Sequence, residues 1–238
     1  MNSLANHGYL PRDGRAVRLS DVKSALQEVG LSSSLIAVFA HPIFEESKAS
    51  QPSRSLLQKI TYFAWQPWAA LGAGMRRPGQ KDSAGERVLD LDQLDAPGVV
   101  EHDISLSRRD HAQGDNHTPQ ADLIQGLLGS STDGGKMLTV EDLARYRRFR
   151  IYEQRRVNEE VVYGTFQHVE ACAEIGLLMG VFGDKGGVRV NFLRAFFGEE
   201  RLPVQEGWRA RSGWLGGLGI LELVVKSTSV WRVIGMKF

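Results

Sequence analysis

The stretch "VVEHDISLSRRD" contains the first residues whose types and spacing could do chemistry. Glu101 and Ser105 are four positions apart, so in a helical turn their oxygen atoms would face the same way. A carboxylate and a hydroxyl, completed by a backbone carbonyl and water, suit a hard cation such as magnesium, calcium or manganese. His102 would point elsewhere and could act as an acid–base or hydrogen-bonding group, with Asp103 orienting its ring. Acidic residues beside a lone histidine are also common as solvated helix caps, so both interpretations remain open here.

A second candidate is the carboxylate of Glu174, which lies in the apolar segment "ACAEIGLLMGVFG". An acid on such a helix either faces solvent on the polar side or is buried with a raised pKa. Glu170 is one turn earlier and could mark a polar edge of the same helix. Periodicity alone therefore leaves both environments of Glu174 open.

The composition is that of an ordinary globular protein with one sizeable core: 238 residues, 42% hydrophobic and 24% charged. Lys plus Arg number 29 against 28 Asp plus Glu, so nothing in the net charge of +1 points to nucleic acid or an anionic membrane. The single cysteine, Cys172, excludes an internal disulfide and an all-cysteine metal site within one chain. No apolar leader follows Met1, and the most apolar late stretch, 213–225, is shorter than the roughly 20 residues of a membrane span.

Helices are predicted to position these candidates. Thr139 and Asp142 resemble a capping box that opens the helix in "DLARYRRFRIYEQRRVN". This helix is expected to bury an apolar stripe at Leu143, Tyr146 and Ile151. The arginines between Arg145 and Arg156 are expected to form a solvated face, with an anion site as the alternative. The helix with Glu174 is more apolar and is predicted to be more buried and to end at Gly183.

Strand alternation, a GxGxxG fingerprint and internal repeats are all missing from the sequence, which predicts an all-α, single-domain protein of about eight helices. Residues 44–86 differ in texture and are predicted to form an insertion with one short helix. Its aromatic residues Phe63, Trp65 and Trp68 are expected to pack in a core or on a neighbouring surface, with a pocket lining as the alternative.

Five segments, in order, resemble the fungal haem-thiolate peroxidase family, which contains chloroperoxidase and the unspecific peroxygenases. These segments are "NSLANHGYLPRDGR", "EHDISLSR", "DLARYRRFRI", "EIGLLMGVFG" and "FFGEERLPVQEGWR". His102, where longer members have glycine, and Gln167, where longer peroxygenases have arginine, fit the short His-bearing branch. The resemblance implies a helical fold around a buried haem b, with a haem peroxidase domain over 1–210, the insertion at 44–86 and a divergent tail at 211–238.

The resemblance also implies roles for the candidate residues. Glu101, Ser105 and the backbone carbonyl of His102 would bind magnesium or manganese together with a haem propionate. Glu174 would be the distal acid–base group that moves the peroxide proton, while His102 points into the same pocket and Asp103 supports it. The implied partners are hydrogen peroxide and a small organic substrate or halide.

The axial cysteine of this family lies in a Pro-Cys-Pro segment a few residues before the position of Asn2. We therefore expect the ligand upstream of Met1, in a segment that would also be the place for a secretion signal. Cys172 is two residues from Glu174 on the same helix, which predicts an unligated, buried thiol on the distal side.

Three hypotheses follow. The favoured one is a haem-thiolate peroxidase or peroxygenase. The second is a non-catalytic helical relative that binds no haem and acts as an interaction module. The third, a divalent-metal hydrolase built on Glu101, His102 and Asp103, is poorer because no second carboxylate cluster is evident.

Overall fold

The computed structural model of the chain describes residues 1–46, 74–95, 102–211 and 217–235. These parts contain eight α-helices and five strands of only two or three residues, so the predicted all-α class is confirmed. The chain divides into two compact units, 1–101 and 102–238. The predicted domain limits at 210 and 211 are not tested by this division and stay predictions. Among the described helices, none is long and apolar enough to cross a membrane.

The described residues of the first unit form three helices and one short antiparallel strand pair. These elements are α1 (Asn2–Asn6), α2 (Leu19–Glu28), α3 (Ser33–Ile43), β1 (Val17–Arg18) and β2 (Val88–Leu89). Gly8, directly after α1, has a φ of +77°, the left-handed geometry with which glycine commonly ends a helix. In the predicted insertion, the buried Arg76 donates a 2.8 Å hydrogen bond to the carbonyl of Phe44 and ties its two described ends together. Phe63, Trp65 and Trp68 lie outside the described residues.

In the second unit, the part of the chain that the structure describes forms five helices and a small antiparallel sheet. The helices are α4 (Ala121–Gly129), α5 (Val140–Val157), α6 (Thr165–Val181), α7 (Val190–Leu193) and α8 (Ile220–Ile234). The strands are β3 (Met137–Leu138), β4 (Gly183–Asp184) and β5 (Gly187–Arg189), with β5 in the centre. All candidate side chains that the structure describes belong to this unit.

Helix α5 begins at the predicted capping box. Thr139 Oγ1 accepts a 3.2 Å hydrogen bond from the Asp142 amide, and the Asp142 carboxylate accepts a 3.1 Å bond from the Thr139 amide. Two amide groups at the start of the helix are thereby satisfied. The expectation of a solvated arginine face is wrong at two positions, because the side chains of Arg147 and Arg150 are 0% exposed.

Helix α8 packs against α6 and α5. Glycines on α6 make the close approach possible, because a Cβ at Gly180 would lie 2.4 Å from Leu218 Cδ2 and one at Gly176 would lie 2.8 Å from Ser227 Oγ. Helix α8 lies within the predicted divergent tail, so this part of the tail packs directly on the helix that carries Glu174.

Candidate functional site

The turn at residues 102–105 is held in an unusual conformation. Ile104 is fully buried and has a φ of +66°, a left-handed geometry that is rare and strained for a β-branched residue. Its amide donates a 2.7 Å hydrogen bond to Asp110, and its carbonyl accepts a hydrogen bond from the Arg147 guanidinium. The second oxygen of the Asp110 carboxylate accepts a 3.0 Å bond from Asn158. Buried polar partners on both sides therefore stabilise a backbone geometry that would otherwise relax.

Asp103 orients His102 through its backbone rather than through its carboxylate. His102 Nδ1 lies 2.8 Å from the Asp103 carbonyl, and since a carbonyl can only accept, Nδ1 carries the proton. The Asp103 carboxylate instead accepts a 2.8 Å bond from the Val162 amide at the far end of the loop after α5. This arrangement leaves His102 Nε2 as the ring atom that faces the candidate site.

Glu174 is the residue on which the site converges. His102 Nε2 lies 3.3 Å from Glu174 Oε1, and Arg147 Nη2 lies 3.0 Å from Glu174 Oε2. The contact with His102 is off-axis, so Nε2 is a buried nitrogen without a regular hydrogen bond among the described residues. The Glu174 side chain is 48% exposed, whereas those of His102 and Arg147 are 7% and 0% exposed. The accessible Glu174 carboxylate thus contacts two buried nitrogen groups, the His102 imidazole and the Arg147 guanidinium.

The pKa values follow from this pairing. Desolvation alone would raise the pKa of Glu174, but the charges of His102 and Arg147 and their contacts lower it to about 2. Desolvation would lower the pKa of His102, but the Glu174 carboxylate raises it to about 9. At neutral pH the site therefore contains a carboxylate paired with a protonated imidazole and a guanidinium.

Glu170 lies one turn before Glu174 on α6 and is half-buried. Desolvation and the neighbouring Glu174 charge raise the pKa of Glu170 to about 7, against the opposing effect of His102. For Glu174 itself, periodicity left a solvent-facing position and a buried position with a raised pKa both open. The Glu174 side chain is 48% exposed and its pKa is lowered, so the expectation of a buried acid with a raised pKa is wrong.

Of the residues expected to bind a cation, the structure describes His102 and Ser105. Ser105 is half-buried, its Oγ accepts a 3.4 Å bond from the Ser107 amide, and its carbonyl accepts a 3.3 Å bond from Arg150 Nε. Glu101 lies outside the described residues. Within the described ranges, no group of three or more His, Cys, Asp or Glu side chains is placed to hold a metal ion.

The accessible Glu174 carboxylate, with His102 Nε2 3.3 Å away, would fit the peroxide-facing side of the haem site that the resemblance implies. An iron-binding thiolate does not fit the environment of the only cysteine of the sequence. Cys172 is buried, its Sγ lies 3.8 Å from His168 Nε2, and desolvation raises the pKa of its thiol to about 11. Cys172 therefore stays a protonated thiol in the core of the second unit.

Sequence reasoning missed Arg147 and Arg150, which donate to the carbonyls of Ile104 and Ser105. Their spacing contained the signal, because both follow the fully buried Leu143 at intervals of four and seven residues. Their charge led to the prediction that they lie on the solvated face. An arginine can nevertheless lie on the buried face of a helix when its guanidinium is hydrogen-bonded or ion-paired.

Comparisons with known proteins agree with the resemblance seen in the sequence. A family model described as Peroxidase, family 2 matches residues 1–213. A chloroperoxidase of Leptoxyphium fumago is 25% identical over 231 residues, which cover 89% of this chain and 53% of that protein. The chain thus spans about half the length of that relative.

Two aromatic peroxygenases are also similar to this chain. The protein of Coprinellus radians is 25% identical, with 90% of this chain and 77% of the relative covered. The protein of Cyclocybe aegerita is 28% identical, with 95% of this chain and 57% of the relative covered.

Proposed function

Because this chain belongs to the family described as Peroxidase, family 2, we propose that it is a haem-dependent peroxidase or peroxygenase. It would use hydrogen peroxide to oxidise small organic molecules or halide. The observation that carries the proposal is the accessible Glu174 carboxylate, which is paired with His102 and Arg147 at 3.3 and 3.0 Å. A bound haem b would supply the redox chemistry that follows cleavage of the peroxide O–O bond.

In this proposal Glu174 moves the proton. Its low pKa keeps the carboxylate ionised at neutral pH, so it can accept a proton from one peroxide oxygen. Once protonated, a carboxyl group whose pKa is lowered in this way by His102 and Arg147 is a strong acid and returns the proton readily to the departing oxygen. His102 contributes the nearby positive charge and the Nε2–H that faces Glu174, with its ring fixed through the Asp103 carbonyl.

The experiment that tests this role replaces Glu174 in the haem-loaded protein. Glu174→Gln keeps the side-chain size but cannot relay the proton, so peroxide turnover should fall by at least ~100-fold while haem absorbance is retained. Glu170→Gln, one turn earlier on the same helix, is the matched control. Near-normal turnover in Glu174→Gln together with a large loss in Glu170→Gln would move the role to Glu170.

The state of Cys172 favours a second candidate function, a helical relative that binds no haem. The thiol is buried and protonated, so it offers no thiolate to iron. Haem titration separates the two functions, because the first requires a Soret band that saturates at one haem per chain and the second gives none. A Soret band that disappears in Cys172→Ser would show that this cysteine is the ligand and would contradict the buried-thiol assignment.

We further propose that Ser105, Glu101 and the carbonyl of His102 bind magnesium or manganese next to the haem. Support comes from the oxygen-donor chemistry of this segment and from the half-buried position of Ser105 in the held turn. Metal analysis of the purified protein tests this proposal directly.

A further inference from the structure

Arg147 connects two parts of the site that belong to different elements. It lies in α5, and its guanidinium donates from Nη1 to the carbonyl of Ile104 in the turn and from Nη2 to Glu174 on α6. The partners are 43 and 27 residues away in sequence. Because the Arg147 side chain is 0% exposed, solvent does not reach its guanidinium to compensate a lost contact there.

A charged group at full burial is retained only where specific partners compensate its lost hydration. Arg150 provides the comparison within the same helix, since it is equally buried and donates to the next carbonyl of the turn, that of Ser105. Its carboxylate partner is Glu153 of its own helix rather than Glu174. Both arginines therefore hold the turn, but only Arg147 also contacts the accessible carboxylate.

The shape of the contact explains why arginine is present at 147. A guanidinium is a planar fork whose two terminal nitrogens bind separate acceptors in a fixed relative orientation. A lysine ammonium is a single point on a flexible stem and would favour one acceptor over the other. His102 does not fix the orientation of the Glu174 carboxylate in this way, because its contact with Glu174 is not aligned as a hydrogen bond.

We propose that Arg147 is the positioning residue of the site, clamping the Glu174 carboxylate to the left-handed turn at Ile104. The clamp keeps Glu174 in one rotamer and at one distance from the turn that carries His102. Its role in the reaction rests on the proposed function, in which the orientation of Glu174 decides whether proton transfer to and from peroxide is efficient.

The first test measures the clamp without any cofactor. A double-mutant cycle combines Arg147→Met with Glu174→Gln and follows denaturant unfolding of the full chain at one neutral pH. We expect the two substitutions to be coupled by at least about fivefold in the unfolding equilibrium constant. The matched cycle of Arg150→Met with Glu174→Gln should be additive to within about twofold. Additivity in the Arg147 cycle would overturn the proposal.

A second measurement covers the case in which Arg147→Met does not fold. Glu174→Gln leaves the chain otherwise intact, and the guanidinium NMR signals of buried arginines can be followed in it directly. The Arg147 signals should shift and exchange faster in this variant, whereas those of Arg150 stay unchanged. Unchanged Arg147 signals would overturn the clamp.

The third test uses the haem-loaded protein. Arg147→Lys should lower kcat for peroxide turnover by about tenfold or more, with a smaller change in KM, because it disturbs orientation rather than binding. In the Glu174→Gln background the same substitution should have no further effect on kcat. An equal loss of kcat in both backgrounds would show a merely structural role and overturn the proposal. If the chain binds no haem, the proposed function fails, while the unfolding cycle still decides whether Arg147 holds Glu174.

Discussion

Replacement of Ile104 by glycine and by alanine should reverse the usual order of stability of these two residues. Both substitutions remove the fully buried side chain beyond Cβ, at a cost of roughly 2–5 kcal/mol for isoleucine to alanine, and glycine also removes Cβ. They differ in the backbone, because Ile104 has a φ of +66°. At this geometry an L-residue carries a strain of about 1–2 kcal/mol that glycine avoids.

The expected difference follows from two opposing effects. Glycine loses about 0.5–1 kcal/mol relative to alanine through its larger unfolded-state entropy. Subtracting this loss from the strain leaves Ile104→Gly more stable than Ile104→Ala by about 0–1.5 kcal/mol. Ile175 is the matched control, since it is equally buried but lies inside helix α6. There alanine should be more stable than glycine by about 1 kcal/mol.

Denaturant unfolding of the four variants measures the two differences, and their contrast should be roughly 1–2.5 kcal/mol. The comparison between positions removes the uncertain cost of the lost side chain, which is common to each pair. Alanine more stable than glycine at both positions would refute the claim that the turn at Ile104 stores backbone strain.

Three further outcomes are expected. Gly180→Ala should destabilise the chain by about 1–3 kcal/mol in thermal unfolding, because its Cβ would lie 2.4 Å from the fully buried Leu218. In the control Gly129→Ala, the added Cβ meets nothing within 4 Å, so the change in stability should be near zero. The pKa of His102 is raised from 6.5 to about 9, so its contribution to stability is complete below pH 6.5 and is lost as the pH rises through 9. The difference in unfolding free energy between the parent and His102→Gln should therefore shrink over this interval. A constant difference would contradict the pairing of His102 with Glu174. Ser105→Ala should lower the magnesium or manganese content of the purified protein, and unchanged metal content would remove Ser105 from the proposed cation site.

Local signals predicted the elements better than they predicted the contacts of the site. The capping box at Thr139 and Asp142 depends on groups three residues apart, so the start of α5 is visible in the sequence. The contacts of Arg147 join residues 27 and 43 positions apart, and no local pattern encodes them. Its burial therefore contradicts the hydropathy of arginine although it agrees with the helical spacing from Leu143.

Asp103 shows a different limit of sequence reasoning. The sequence suggests the Asp103 carboxylate as the partner of the His102 ring. A backbone amide that is distant in sequence can compete with this ring for the same carboxylate oxygens. The Val162 amide donates a hydrogen bond to the Asp103 carboxylate, and the backbone carbonyl of Asp103 accepts the hydrogen bond from His102. Adjacency in sequence identified the right residue here and the wrong atom.

The close packing of α8 on α6 has a consequence for how members of this family can be recombined. The family model ends at residue 213, whereas the packed helix begins at Ile220. A tail grafted from another member would face a helix surface shaped by Gly176 and Gly180, where a single added methyl group collides with the residues now opposite. The tail and these two glycines therefore form one exchangeable module, and a chimera should transfer them together to leave the backbone beneath Glu174 undisturbed.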